Sequence, residues 1–126
     1  MPSARSRLGS QGEQLAAEHL QAHGLNILAR NFRTRYGEVD LVASEGDTIV
    51  FVEVRTRRSQ AYGTPEESVT LPKRHWLALA AQQYLQDHGL DHRSWRIDLV
   101  AISMSEGTPA IRHHPGIPVE EPTGLS

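Results

Sequence analysis

The chain has 126 residues, a formal net charge of −2, 38% hydrophobic residues and no cysteine. That length and apolar content suit one domain with a real core and exclude a wholly disordered chain. The absence of cysteine excludes disulfides and thiolate zinc sites, and the near-neutral sum removes any bulk-charge argument for nucleic acid.

Residues 1–8 hold two arginines with no apolar stretch behind them, so no signal peptide is read and a flexible N-terminus is expected. The longest apolar run, Thr48 to Val54, is strand-sized and far short of a membrane span; a cytoplasmic protein without a membrane partner is the expectation. The first helix is predicted from Gln11 to His23, with Ser10 and Glu13 as a capping box, Gly24 as the stop, and Leu15, Ala16 and Leu20 as the core face. A strand over Asn26 to Arg33 follows, and Tyr36-Gly37 turns the chain into a second strand, Glu38 to Ser44. Gly46-Asp47 is a two-residue hairpin signal leading to a third strand, Thr48 to Arg55. After a loop with Gly63 and Pro65, a second helix runs from an N-cap at Thr70 to about Gly89, with Trp76, Leu77, Ala80, Ala81, Tyr84 and Leu85 as its buried stripe. The last main strand is Trp95 to Ile102. Pro109, Pro115, Pro118 and Pro122 predict an irregular tail after Ser105, with room for a short edge strand at Ala110 to His113. The crossover helix should set the last strand parallel to the third by a right-handed connection. The class expected is α/β: a mixed sheet with an αβββαβ core and flanking helices.

The hairpin register gives the sharpest chemical expectation. With Gly46 and Asp47 as the turn, Glu45 opposes Thr48, Ser44 opposes Ile49, Val42 opposes Phe51, Asp40 opposes Glu53 and Glu38 opposes Arg55, all on one face. The other face, Ala43/Val50, Leu41/Val52 and Val39/Val54, is wholly apolar. Asp40 and Glu53 would then be like charges side by side in apolar surroundings, which costs repulsion and desolvation. Three compensations stay open: a divalent cation bridging both carboxylates, a shared proton, or nearby arginines. For oxygen ligands without cysteine, magnesium or manganese is the natural ion. Glu38 with Arg55 reads as an ordinary cross-strand ion pair.

Several spaced segments together resemble the YraN family of bacterial proteins. They are Gly12-Glu13, Asn31-Phe32-Arg33, Gly37-Glu38-Val39-Asp40, Phe51-Val52-Glu53-Val54-Arg55-Thr56-Arg57, Tyr62-Gly63, Ser68-Val69-Thr70, Lys73 and Arg96-Ile97-Asp98. The likeness covers residues 9 to 103, most of the chain. It implies a PD-(D/E)xK, restriction-endonuclease-like fold related to Holliday-junction resolvases. The implied divisions are a nuclease-like domain at 9–105 and an irregular tail at 106–126.

The resemblance implies that Asp40 is the metal-binding aspartate, Glu53 the acidic member of the (D/E)xK element and Arg55 the residue at the lysine position. Glu13 would complete the metal site from the first helix, as an alternative or an addition to capping. The Val54 carbonyl would be a further ligand, and Glu38 a supporting residue. The implied activity is metal-dependent phosphodiester hydrolysis on structured or branched DNA. Arg55 departs from the pattern, because a guanidinium does not give up its proton near neutrality; it can still hold a phosphate. Lys73 is a second source of an ammonium, or else a solvated residue. Val39 stands where the superfamily's name has proline, a position that contributes no ligand. The arginine keeps a second reading open, a non-catalytic nucleic-acid-binding module on the same fold.

Arg30, Arg33, Arg35, Arg57, Arg58 and Lys73 fall near strand ends and helix starts, where phosphate contacts would position a nucleic acid without reading bases. A protein-interaction domain is a third reading; it expects Arg30, Arg33 and Arg57 scattered away from the acidic pair. A homodimer is compatible with the sequence, which marks no interface. Asp98 reads as a buried aspartate held by backbone, Arg96 or Lys73. Trp76 and Tyr84 read as core, and Tyr36 as turn packing or a base-stacking residue. The seven histidines form no zinc motif.

Overall fold

A computed structural model of the chain describes residues 4–58, 68–104 and 107–119. The expected loop at Tyr62, Gly63 and Pro65, and Pro122 in the tail, lie outside the described residues. The elements run α1 (Ala4–Ala22), β1 (Asn26–Thr34), β2 (Gly37–Glu45), β3 (Thr48–Arg57), α2 (Leu71–Asp87), β4 (Trp95–Ser103) and β5 (Ala110–His114). The strands form one mixed sheet in the order β1-β2-β3-β4-β5. β3 and β4 are parallel, as the intervening helix requires, and every other neighbouring pair is antiparallel. No helix among the described residues is long and apolar enough to cross a membrane.

Each helix covers one face of the sheet. Leu77, Ala78, Ala81, Tyr84 and Leu85 of α2 pack on Val39, Val42, Phe51, Ile97 and Leu99. Ala16, Ala17 and Leu20 of α1 pack on Leu41, Ala43, Val50, Val52, Val100 and Ile102. Ile49–Val52 in β3 and Leu99–Ile102 in β4 are continuously apolar because both faces of the sheet are covered there. Thr70 caps α2 by accepting a hydrogen bond from the Lys73 amide (3.3 Å), and Pro72 sits in the first turn where no amide partner is needed. The tail after β5 is irregular but fastened: the Ile117 amide donates to the Ile97 carbonyl (2.8 Å), and Ile117 and Val119 pack on the α2-side core.

Three expectations change. α1 starts at Ala4, so Ser10 is inside the helix and cannot cap it, and Glu13 projects from its middle instead of closing its end. The reason is that residues 4–10, with no proline and with helix formers such as Ala4 and Arg5, continue the α1 pattern backwards past Ser10. Trp76 is 47% exposed, outside the buried stripe that the helical spacing predicted. Val39 joins the α2-side core together with Val42, whereas Leu41 and Ala43 face α1. Simple alternation would put 39 with 41, so the strand's facing flips at Asp40. Across β1, the pairs Arg30↔Leu41 and Phe32↔Val39 bracket Asn31, which has a left-handed backbone (φ 52°). Asn tolerates that conformation better than most residues, and it lets β1 follow the irregularity in β2. A second irregularity lies between Ile27 and Ala29.

Asp98 is fully buried on β4. Arg96 Nε donates to its Oδ1 (2.9 Å), the Gly116 amide to the same oxygen (2.9 Å), and His113 Nε2 pairs with Oδ2 (2.7 Å). Burial pushes its carboxyl pKa up, but these hydrogen bonds together hold it below the ordinary carboxylate value. Of the two predicted cations, Arg96 is the partner of Asp98, while Lys73 pairs elsewhere. The cluster ties β4 to β5 and the tail.

At Gly12, α1 lies directly against Thr56 of β3. A Cβ built there collides with the Thr56 side chain. Glycine ordinarily weakens a helix interior, by about 1 kcal/mol relative to alanine, so Gly12→Ala would normally stabilise. Here the expected sign is reversed: Gly12→Ala lowers stability by about 1–3 kcal/mol in urea unfolding, and Thr56→Ala in the same chain recovers part of the loss.

Candidate active site

The β2–β3 hairpin begins as predicted. Gly46 takes the positive φ (58°) that the two-residue turn demands, and Glu45↔Thr48, Ser44↔Ile49, Ala43↔Val50, Val42↔Phe51 and Leu41↔Val52 form the ladder. The ladder stops there. β2 continues to Gly37 paired only with β1, and β3 continues to Arg57 paired only with β4. The sheet therefore forks just beyond Leu41 and Val52, and the next residues outward are Asp40 and Glu53.

Asp40 stands in the crotch of the fork. Its Oδ2 accepts a hydrogen bond from the Val54 amide (2.8 Å), so a side chain takes the place of a backbone carbonyl and the strands part. In an extended residue the amide and carbonyl point to the same edge, so the Val54 carbonyl also faces the fork. Burial pushes the Asp40 carboxyl up to about 8, helped by its hydrogen bond with Glu53 and the charge of Glu53, and opposed by the Val54 amide and Arg55. Of the compensations left open by the sequence, the raised pKa of Asp40 favours a shared proton.

Nearby cations are present as well. Glu53 is 3% exposed, and its Oε2 lies 3.3 Å from Arg55 Nη2 and 3.4 Å from Lys73 Nζ. Neither contact has hydrogen-bond alignment: Glu53 Oε2 and Arg55 Nε are both buried without a hydrogen-bond partner. The expected Glu38–Arg55 pair does not form. Beyond the fork these residues no longer face each other, and Glu38 pairs instead with Arg33 (3.3 Å).

Glu13 reaches the same place from α1. Asn31 Nδ2 donates to Glu13 (2.8 Å) and to Glu38 (3.0 Å), tying the helix to β1 and β2. Burial raises the Glu13 carboxyl pKa, as do the charges of Asp40 and Glu38, against a lowering by Arg30. From the sequence, Asn31 enters only as part of a family segment, with no role at the site. An asparagine inside a strand, where it is disfavoured, was the available signal.

Among the described residues, no three carboxylate or imidazole side chains converge tightly enough to enclose an ion. Glu13 and Glu38 are held back by Asn31, and Glu53 is turned towards Arg55 and Lys73. Magnesium commonly takes only one or two carboxylates and keeps several waters. Asp40 and Glu53, with an undirected buried oxygen on Glu53 and the Val54 carbonyl facing the same gap, fit that requirement.

The basic residues occupy the same end of the sheet. Arg30 pairs with Leu41 at the last rung of the ladder, and its Nη1 donates to Gln14 (2.8 Å). Arg33 and Arg35 lie at the outgoing end of β1, Arg57 and Arg58 at that of β3, and Lys73 in the first turn of α2. Strand directions make all of these the fork end.

The chain matches the family model described as Uncharacterised protein family UPF0102 over residues 12–102. It belongs to the UPF0102 family, also called the YraN family. A UPF0102 protein of Rhodococcus jostii is 50% identical over 107 residues, covering 84% of this chain and 91% of the relative. One from Herpetosiphon aurantiacus is 44% identical over 124 residues, 95% of this chain and 100% of the relative. A third, from Symbiobacterium thermophilum, is 50% identical over 96 residues, 76% and 81% of the two chains. The match to the UPF0102 model contains α1 from Gly12, the whole fork and Lys73.

Crowding at Asp40 has a consequence for stability. A carboxyl raised from 3.8 to about 8 by folding is stabilising while protonated, and that contribution is lost as pH rises through the window between these values. Asparagine mimics the protonated acid. In metal-free protein, Asp40→Asn should therefore become progressively more stable than wild type between about pH 5 and pH 8, read by urea unfolding at each pH. A constant difference across that range would show that Asp40 is not crowded.

Proposed function

We propose that this UPF0102 protein is a metal-dependent endonuclease-like protein that hydrolyses phosphodiester bonds in structured or branched DNA. On this reading its sheet and two helices are a restriction-endonuclease-like core. The observation that carries the proposal is the fork: two carboxylates, Asp40 and Glu53, come together where two strands part, with cations around them. An acidic pair serving stability alone would not need the ladder opened beside it.

Asp40, Glu53 and the Val54 carbonyl would hold a magnesium or manganese ion, with Glu13 within reach of the same cluster. Such an ion supplies Lewis acidity to the scissile phosphate and makes a nearby water more acidic. The protein's own groups do the remaining work. Lys73 and Arg55 present positive charge at Glu53 and can pair with a phosphate instead as its transition state gains negative charge. Lys73 thereby places an ammonium where Arg55 replaces the usual lysine. Arg33, Arg35, Arg57 and Arg58, at the same end, orient the backbone of the nucleic acid. Asn31 holds Glu13 and Glu38 in position.

One observation favours the second reading, a non-catalytic nucleic-acid-binding module. Glu53 is already neutralised by two cations from its own chain, an arrangement that is self-sufficient without an ion.

Cleavage separates the two. With magnesium or manganese, a labelled four-way junction or flap should be cut by wild type, and Asp40→Asn or Glu53→Gln should each slow cutting by on the order of a hundredfold. Lack of cleavage with either metal, combined with salt-sensitive binding that survives chelation, would establish the binding module instead. Neither cleavage nor binding would reject both.

A further inference from the structure

Trp76 and Tyr36 form an aromatic pair at the edge of the fork that the proposed chemistry does not use. Their ring centroids are 6.0 Å apart and their planes 26° from parallel. Trp76 is nearly half exposed, although an indole ordinarily gains more from burial than any other side chain on this helix. The Arg35 guanidinium lies 4.9 Å from the centre of the Tyr36 ring and donates to the Tyr36 hydroxyl (2.7 Å), which fixes the tyrosine's orientation.

The position ties this pair to the site. Trp76 is one helical turn beyond Lys73, whose ammonium sits 3.4 Å from Glu53. Tyr36 lies in the turn that leads into Glu38 and Asp40, and it packs against the α2-side core. The stack therefore stands at the mouth of the fork on its α2 side.

We infer that Tyr36 and Trp76 are a stacking platform for an unpaired nucleobase. This inference rests on the nucleic-acid reading above and narrows its substrate class. Aromatic faces take bases of any sequence, because every base has a π-face, and a platform flanked by arginine and lysine suits a ligand that carries a phosphate on each base. An apolar peptide would leave Arg35 facing it without a counter-charge. Within a duplex both faces of a base are covered by its neighbours, so a platform of this kind selects bases that are already free. The substrate class assigned is DNA with unpaired bases beside the cut bond, such as a flap, a single-stranded end or an open branch point.

The test is binding in a chelating buffer, where cleavage plays no part, with a short oligo-deoxythymidine and a blunt duplex as probes. Wild type should prefer the single strand, and its tryptophan emission should be quenched on binding. In Trp76→Ala the quenching should vanish although Trp95 remains, and single-strand affinity should fall about tenfold or more. Trp76→Phe should retain most of that affinity, and duplex binding should change by no more than about twofold in either variant. Thermal melting of each variant checks that it folds. Equal losses on both probes, or no loss on the single strand, would overturn the platform and leave the nuclease proposal standing. If wild type binds neither probe, the nucleic-acid reading fails and the platform with it.

Discussion

A single hydrogen bond, from the Val54 amide to Asp40 Oδ2, governs the forked end of this sheet. At this point in an antiparallel ladder a backbone amide would normally meet a backbone carbonyl. Here it meets a carboxylate, and β2 and β3 separate immediately afterwards. The amide stays satisfied, so the opening leaves no orphaned donor there. The carboxylate is drawn into the sheet plane beside Glu53, where burial and like charge raise its affinity for a proton. Facing also reverses at this residue: Val39 turns to α2 while Leu41 turns to α1. Asn31 accommodates the reversal on β1 and spans Glu13 and Glu38.

The charges around the fork form a graded arrangement. Glu53, the deepest acid of the fork, is met by Arg55 and Lys73; Asp40 is met by the Val54 amide and has a raised affinity for a proton; Glu13 and Glu38, further out, are met by Asn31 and, for Glu38, by Arg33. Each acid is compensated by a group that a bound ion or phosphate could relieve. Lys73 and Arg55 reach Glu53 Oε2 at ion-pair distance without directed hydrogen bonds, and Arg55 Nε is buried without a hydrogen-bond partner. The two helices contribute one side chain each, Glu13 from α1 and Lys73 from α2. The close Gly12–Thr56 approach lets α1 carry Glu13 to the fork.

Much of this was legible in the sequence. The period-two runs and Gly46-Asp47 set the hairpin register correctly as far as Leu41 and Val52, and the crossover helix set β4 parallel to β3. Alternation is a local rule and cannot announce where a ladder stops. Extending it past Leu41 placed Val39 on the wrong face and paired Glu38 with Arg55. The Ser10–Glu13 spacing was a genuine capping pattern, but it lay inside a longer helix, since a cap depends on what precedes it as much as on the two residues themselves. Trp76 followed the helical stripe closely enough to be read as core. Its exposure depends on what the rest of the fold sets beside it, which no helix-by-helix reading contains.

The physical claim at the centre is that Asp40 and Glu53 jointly offer a site for one divalent cation. Thermal melting across a manganese titration tests it without any substrate. A cation that binds only the folded state must raise the melting temperature with its concentration. Wild type should show that rise, and Asp40→Asn and Glu53→Gln should each remove it. An equal rise in all three proteins, or none in wild type, would contradict the account.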